Sequence, residues 1–113
     1  MIMEWTIQCG DESRRVESIE DIATIVRSVM EHKCEFMVLT PPQPVNSCNF
    51  MQVAPESDED THLEVCIVQD SEKTHVFSQT CTPSVAITLL TLFYTENAVP
   101  DTSGWTFVGE YQV

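Results

Sequence analysis

The stretch that decides the fold is residues 61–79, which read THLEVCIVQDSEKTHVFSQ. Residues 61–69 and 73–79 are rich in β-branched and aromatic side chains, and a polar Asp70-Ser71-Glu72 segment separates them. This pattern is typical of a β-hairpin. Because strands joined by a short turn run antiparallel, the hairpin predicts an antiparallel sheet at the centre of the fold.

Further strands are predicted on both sides of this hairpin. Residues 34–40 are a nearly continuous apolar run, which is typical of a central strand, and residues 48–54 follow as the next strand. Residues 3–9 alternate and predict a first strand, with a short return near residues 14–17. A last strand is predicted at residues 105–113, and simple alternation places these side chains on one of its sides: Trp105, Phe107, Gly109, Tyr111 and Val113.

Two helices are marked by their ends. Ser18 is a good N-cap with Asp21 at the capping-box offset, and apolar residues then recur at helical spacing until about His32. The second helix starts with Thr82 as N-cap and Pro83 at the first helical position. Both helices have one apolar stripe, so they need a shared apolar surface to cover.

The length and the element order together predict one domain. A chain of 113 residues and 12.8 kDa is large enough for one hydrophobic core and small for two. We therefore expect residues 1–113 to form a single globular α+β domain. Its architecture is predicted to be a two-layer sandwich, an antiparallel sheet of about five to six strands with two helices packed on one face.

The charge is strongly negative, with 18 Asp and Glu against 5 Lys and Arg and a formal net charge of -13. Nucleic-acid binding depends on Lys and Arg that displace counterions from phosphates, so this composition argues against a nucleic-acid ligand and against an anionic membrane surface. A basic protein partner is favoured, because opposite potentials speed association. The alternative is that the charge serves only solubility.

The candidate partner-binding segment is the acidic loop, residues 55–60 (PESDED), which connects the predicted strands at residues 48–54 and 61–69. It lacks the central Gly and the bidentate Glu of a calcium-binding EF-hand loop. Its carboxylates are expected either to be merely solvated or to form a negative lobe that meets Lys and Arg of a partner. The candidate partner-binding residues are Glu56, Asp58, Glu59, Asp60 and Glu64.

No catalytic, metal or cofactor site is expected from the motifs. Cys66 and His62 lie on one face of a strand but four residues apart, about 13 Å, too far for a nucleophile and its base. Hairpin pairing places His75 opposite Ile67 or Val68, roughly 16 to 20 Å from His62, so the two histidines are not expected to share a metal ion. We therefore predict that the protein is not an enzyme and needs no cofactor.

The five cysteines contain no C-x-x-C pair and are odd in number. We expect free, mostly buried thiols in a reducing compartment rather than a zinc site or a disulfide framework. The N-terminus has no basic region followed by an apolar run, and no apolar segment approaches the ~20 residues that span a bilayer. A cytoplasmic location is therefore predicted.

The segment 85–105 resembles a known family. Its run Ala86-Ile87-Thr88-Leu89-Leu90-Thr91-Leu92-Phe93-Tyr94-Thr95-Glu96-Asn97, followed by Val99-Pro100-Asp101 and Trp105, is similar to the C-terminal helix, Pro turn and Trp-bearing strand of Imm1-like immunity proteins. The resemblance implies a small intracellular bacterial α+β protein that neutralises a cognate toxin of a polymorphic toxin system, many of which are nucleases or deaminases. It covers about the last quarter of the chain and transfers no set of inhibitory residues.

Two functions follow as hypotheses. The first is an immunity protein that binds a basic toxin domain and occludes its active site. The second is an acidic secretion-system chaperone that binds an unfolded effector segment along apolar grooves or sheet edges. Either protein would be a monomer or a homodimer, and a dimer that prefers unfolded segments would favour the chaperone.

Overall fold

Seven β-strands and two α-helices follow one another along residues 4–70 and 73–112, the residues that this computed structural model describes. In chain order they are β1 (Thr6–Cys9), β2 (Glu12–Arg15), α1 (Ile19–Met30), β3 (Met37–Thr40), β4 (Cys48–Pro55), β5 (Thr61–Val68), β6 (Lys73–Cys81), α2 (Pro83–Glu96) and β7 (Thr106–Gln112). The strands form one sheet in the order β2-β1-β3-β4-β5-β6-β7, and every neighbouring pair is antiparallel.

The predicted α+β class is confirmed, but the predicted five to six strands are too few. The short return after Gly10 is a full strand, β2, which pairs with β1 along its whole length. All four β2 side chains are exposed, and two of them are Arg14 and Arg15. A strand with no buried face has no apolar alternation, so its pattern carries little signal.

The predicted central hairpin is confirmed. Strands β5 and β6 pair with Ile67 opposite His75, as the turn position predicts. Met3 and Val113, at the outer ends of the predicted first and last strands, and the predicted turn residues Ser71 and Glu72 lie outside the described residues.

Both helices cover the same face of the sheet. Helix α1 packs on β1, β3 and β4, whereas α2 packs on β5 and against α1. The strand side chains beneath them have essentially no exposed surface and alternate along each strand, as a half-covered sheet requires. The fully buried strand residues on this face are Ile7, Met37, Leu39, Cys48, Met51, Val53, Thr61, Leu63 and Val65.

The predicted helix caps are present. An Asp21 carboxylate oxygen accepts hydrogen bonds from the backbone N–H groups of Glu17 (2.8 Å) and Ser18 (3.3 Å). The Thr82 hydroxyl accepts a hydrogen bond from the backbone N–H of Val85, which starts α2. These bonds satisfy N–H groups that have no partner inside a helix.

The expectation of five free thiols is wrong for one pair. Cys9, at the end of β1, and Cys34, which precedes β3, form a disulfide. The predicted strand at residues 34–40 accordingly begins only at Met37. The pair was hidden because its members are 25 residues apart and meet only when β1 and β3 become neighbours. Free thiols remain at Cys48, Cys66 and Cys81.

Candidate functional site

The face of the sheet opposite the helices carries a cleft across β4, β5 and β6. Residues paired directly across an antiparallel sheet lie on the same face. Phe50, Cys66 and Val76 form one such row, and Gln52, Glu64 and Ser78 form the next. The first row is apolar and the second is polar. Neither α1 nor α2 lies over the apolar row, because both helices pack on the other face.

This helix-free cleft, as we call it, has a volume of about 410 Å³. Cys66 and Val76 are only 5% and 7% exposed, so they lie at its bottom. Phe50 and the half-exposed Tyr111 contribute aromatic walls, and Glu64 contributes a carboxylate. The volume is within the range of roughly 300–1,000 Å³ that is typical of small-ligand sites.

One wall of the cleft depends on a β-bulge in β7. Val76 pairs with Gly109, but the next residue, Phe77, pairs with Phe107, so one residue is extra in β7. Phe107 therefore faces the helix side and Tyr111 faces the cleft. The prediction that Phe107, Gly109 and Tyr111 share one side of this strand is therefore wrong, because a bulge reverses the alternation of side chains.

Gly109 leaves space for the Tyr111 ring, which forms this wall of the cleft. A Cβ atom added to Gly109 would lie 3.4 Å from the Tyr111 hydroxyl oxygen, so the tyrosine ring lies over the glycine. An aromatic ring that covers a strand glycine replaces the missing side-chain packing. Tyr111 thus keeps a defined position although it is 53% exposed.

A second bulge lies in β4. Cys48 pairs with Ile67 while Phe50 pairs with the adjacent residue, Cys66, so Asn49 is extra. Cys48 consequently points to the helix side, where it is fully buried, and Phe50 points into the cleft. Without the bulge, both residues would share one face.

Polar contacts join Glu64 to the acidic loop. The Gln52 side-chain amide donates to Glu64 Oε1 (3.3 Å), and His62 Nε2 lies 3.0 Å from Glu64 Oε2. His62 Nδ1 lies 3.9 Å from Glu56 Oε1, which also accepts a hydrogen bond from the Thr80 hydroxyl (3.2 Å). Glu64 and Glu56 are therefore held on one face by the histidine between them.

The other acidic candidates lie at the tip of the β4–β5 loop. Asp58 and Glu59 are exposed, whereas Asp60 is half-buried and its carbonyl oxygen accepts the backbone N–H of Glu56 (2.9 Å). The Ser57 hydroxyl accepts the N–H groups of Glu59 and Asp60 and closes the turn. The loop backbone is thus held in place, and its carboxylates project from the end of the sheet.

Charge is distributed unevenly along the chain. Residues 35–113 contain eleven of the eighteen acidic residues but only one of the five Lys and Arg residues, Lys73. The ion pairs of Arg14, Arg15 and Lys33 lie within the first 33 residues. Strands β4 to β6 and the acidic loop, which build this side of the molecule, therefore contain only Lys73 to balance their carboxylates.

The arrangement of Cys66, Glu64 and His62 disfavours thiolate chemistry. Burial, and to a lesser extent the charge of Glu64, raise the pKa of the Cys66 thiol. A reactive cysteine needs the opposite shift. Among the described residues there is also no cluster of three or more His, Cys, Asp or Glu side chains that could hold a metal ion.

The acidic loop and Glu64 were predicted from the sequence, but the cleft beside them was not. Tyr111, Phe50 and Gln52 were missed as site residues, because two bulges decide which of their neighbours share their face. Gly109 inside a strand pattern was the available signal, since an isolated strand glycine suggests a bulge or a close approach.

Comparison of the chain with protein-family models, with curated proteins and with solved structures finds no match. No helix within the described ranges has the length and apolar character needed to cross a membrane.

Proposed function

We propose that the protein is an Imm1-like immunity protein that binds a basic, nuclease- or deaminase-type toxin domain and neutralises it by occlusion. It is a non-catalytic inhibitor in this proposal and needs no cofactor. The observation that carries the proposal is the separation of charge in the fold. The loop carboxylates and Glu64 form no ion pair with a Lys or Arg of the described residues, and they lie beside the helix-free cleft.

The acidic loop supports this proposal by its position. Glu56, Asp58, Glu59 and Asp60 occupy the end of the sheet next to Glu64, so one basic surface can meet them together. In a toxin that acts on nucleic acid, these carboxylates would occupy the place of substrate phosphates. Exposed carboxylates at the rim should mainly speed association, and loss of a desolvated one should cost about 2 kcal/mol or more of binding free energy.

Affinity capture tests the proposal. The chain is immobilised, lysate from its native cell is passed over it, and bound proteins are eluted with rising salt. A folded basic domain that elutes with salt and loses its activity when the chain is added supports inhibition. A captured basic domain that keeps full activity in the complex contradicts it.

The role of the loop is tested with Glu59→Lys. Glu96→Lys is the matched control, because both side chains are exposed and both substitutions change the charge by two. Glu96 lies at the end of α2, on the covered side of the sheet. We expect Glu59→Lys to lower the association rate with the captured toxin at low salt and Glu96→Lys to leave it nearly unchanged. Equal rates for the two variants would remove the loop from the proposal.

The cytoplasmic location is part of the proposal. Glutathione and thioredoxin keep most cytoplasmic thiols reduced, so we expect Cys9 and Cys34 to be thiols in the cell and to pair after oxidation. Alkylation of intact cells followed by mass spectrometry measures this. A fully oxidised pair would argue for an oxidising compartment.

The β7 edge favours the chaperone as the second candidate. Phe107, Val108 and Tyr111 are each 42–53% exposed, and β7 is hydrogen-bonded to a neighbour on one side only. The other edge strand, β2, carries charged side chains of the kind that block edge pairing. If β7 binds an extended effector segment or a second copy, Val108→Lys should abolish that binding, which gel filtration and peptide titration measure.

A further inference from the structure

We propose that the helix-free cleft is the anchor site for an arginine side chain on the basic protein partner, with Glu64 as the carboxylate that receives its guanidinium group. This inference rests on the proposed function, because it assigns the chemistry by which that partner is held.

The walls of the cleft suit the stem of a long side chain. Phe50, Val76 and Tyr111 provide apolar surface around a buried bottom, and most of the accessible lining is apolar. Long cationic side chains bury their methylene groups along such surfaces while the charged end reaches a polar group. The acidic end of the cleft is where that charged end would arrive.

The carboxylate of Glu64 has capacity left for a cation. Each of its oxygens has one neighbour, Gln52 on Oε1 and His62 on Oε2, and a carboxylate offers about four acceptor positions. Its side chain is only 20% exposed. Within residues 4–70 and 73–112, no Lys or Arg forms an ion pair with it. A partly desolvated anion beside an apolar cleft favours a cationic group from outside.

Arginine fits this setting better than lysine. The guanidinium group is planar, carries five N–H donors and stacks on aromatic rings, and the rings of Phe50 and Tyr111 line the cleft. Asn49 and Gln52 add amide oxygens to the lining, and these accept N–H groups as well. A lysine ammonium group is more strongly hydrated and does not stack in this way.

The charge also indicates where the arginine comes from. A second copy of this chain would bring a net charge of -13, and like charges oppose its approach. Phosphate-bearing ligands are repelled for the same reason. A basic protein surface has the opposite sign, so the occupant is an arginine projecting from such a surface.

A blocked arginine, N-acetyl-arginine methylamide, is the probe for this site. It is titrated into the isotopically labelled chain at low salt, and chemical shifts are followed by NMR. We expect a millimolar dissociation constant and shifts confined to the cleft, including the side-chain amides of Asn49 and Gln52. The citrulline analogue, which has the same shape but no charge, should bind far more weakly.

Two carboxylates of the chain allow a matched comparison. Glu64 has His62 as its neighbour at 3.0 Å, and Glu110 has His75 at 2.8 Å on the other face of the sheet. Glu64→Gln should weaken binding of the blocked arginine by about tenfold, whereas Glu110→Gln should leave it unchanged. Both variants remove one charge and keep the side-chain shape. Equal affinity in both variants, or no binding to the cleft, overturns the anchor site.

The probe separates this inference from the proposed function. If a basic toxin domain is captured but the blocked arginine does not bind the cleft, the inhibitor proposal survives and the anchor is wrong. If the probe binds through Glu64 but the captured partner still binds Glu64→Gln as tightly as the natural chain, the cleft does not anchor that partner and the inference is wrong.

Discussion

Breaking the Cys9–Cys34 disulfide should lower the free energy of unfolding by about 3.5 kcal/mol, the value that chain entropy gives for a loop of this length. The two cysteines are 25 residues apart, and the loop between them contains β2 and α1. Without the crosslink, this segment explores many more conformations in the unfolded chain. The loss should therefore come mainly from stabilisation of the unfolded state.

The folded state should change little on reduction. Backbone pairing between β1 and β3 holds the two cysteine segments together, and the N–H of Gly10 donates to the carbonyl of Phe36 at 3.0 Å beside the crosslink. Helix α1 is fixed independently by its buried residues, among them Ile22 and Val26. Reduction thus removes a restraint on the unfolded chain without removing these contacts.

Urea unfolding with and without a reductant measures the effect. With a slope of roughly 2 kcal/mol per molar urea, the midpoint should fall by about 1.7 M. The double variant Cys9→Ser, Cys34→Ser is the control, because it retains the other three thiols. Its midpoint should match that of the reduced natural chain and should not respond to reductant. An unchanged midpoint on reduction of the natural chain would refute the reasoning.

Three further predictions concern single side chains. Phe93→Ala should lower the free energy of unfolding by about 4 kcal/mol in urea titrations, because Phe93 is fully buried, whereas Leu92→Ala at a 41%-exposed site should change it by less than about 1 kcal/mol. The hydrogen bond from the Glu17 N–H lowers the pKa of Asp21 below 3.8, so its carboxylate stabilises the fold above that pH and the stabilisation is lost as the pH falls through the lowered pKa. The difference in urea midpoint between the natural chain and Asp21→Asn should accordingly shrink below about pH 4, and a constant difference would contradict this. Burial raises the pKa of Cys48 to about 12, so iodoacetamide should label it, as read by mass spectrometry, only in the unfolded chain.

Local signals predicted most of the fold. The start of α2 was predicted from Thr82 because capping depends on a few neighbouring residues, and the central hairpin was predicted from strand composition around a polar turn. Strand β2 was underestimated because its charged residues have no buried face. The disulfide was missed because it depends on which strands become neighbours.

The candidate site was predicted only in part, for a related reason. Glu64 was predicted as a partner-binding residue and lies on the face away from the helices, and the acidic loop was recognised from composition. Phe50 and Tyr111 reach the cleft through bulges in β4 and β7, and one extra residue reverses every side chain beyond it. A prediction based on two-residue alternation of side chains therefore fails at the two bulges that shape the cleft.

The composition of the two sheet faces is the reason to place a partner on the helix-free one. An antiparallel sheet covered on one side usually presents polar side chains on the other. Here the middle strands instead place Phe50, Cys66 and Val76 on that side, and Tyr111 from β7 lies beside them. Beneath the two helices the strand residues, such as Met51, Val53 and Leu63, are already fully buried, so packing of the helices does not draw on this second apolar surface. A surface apolar at its centre and acidic at its rim matches a site that excludes water around a cationic anchor.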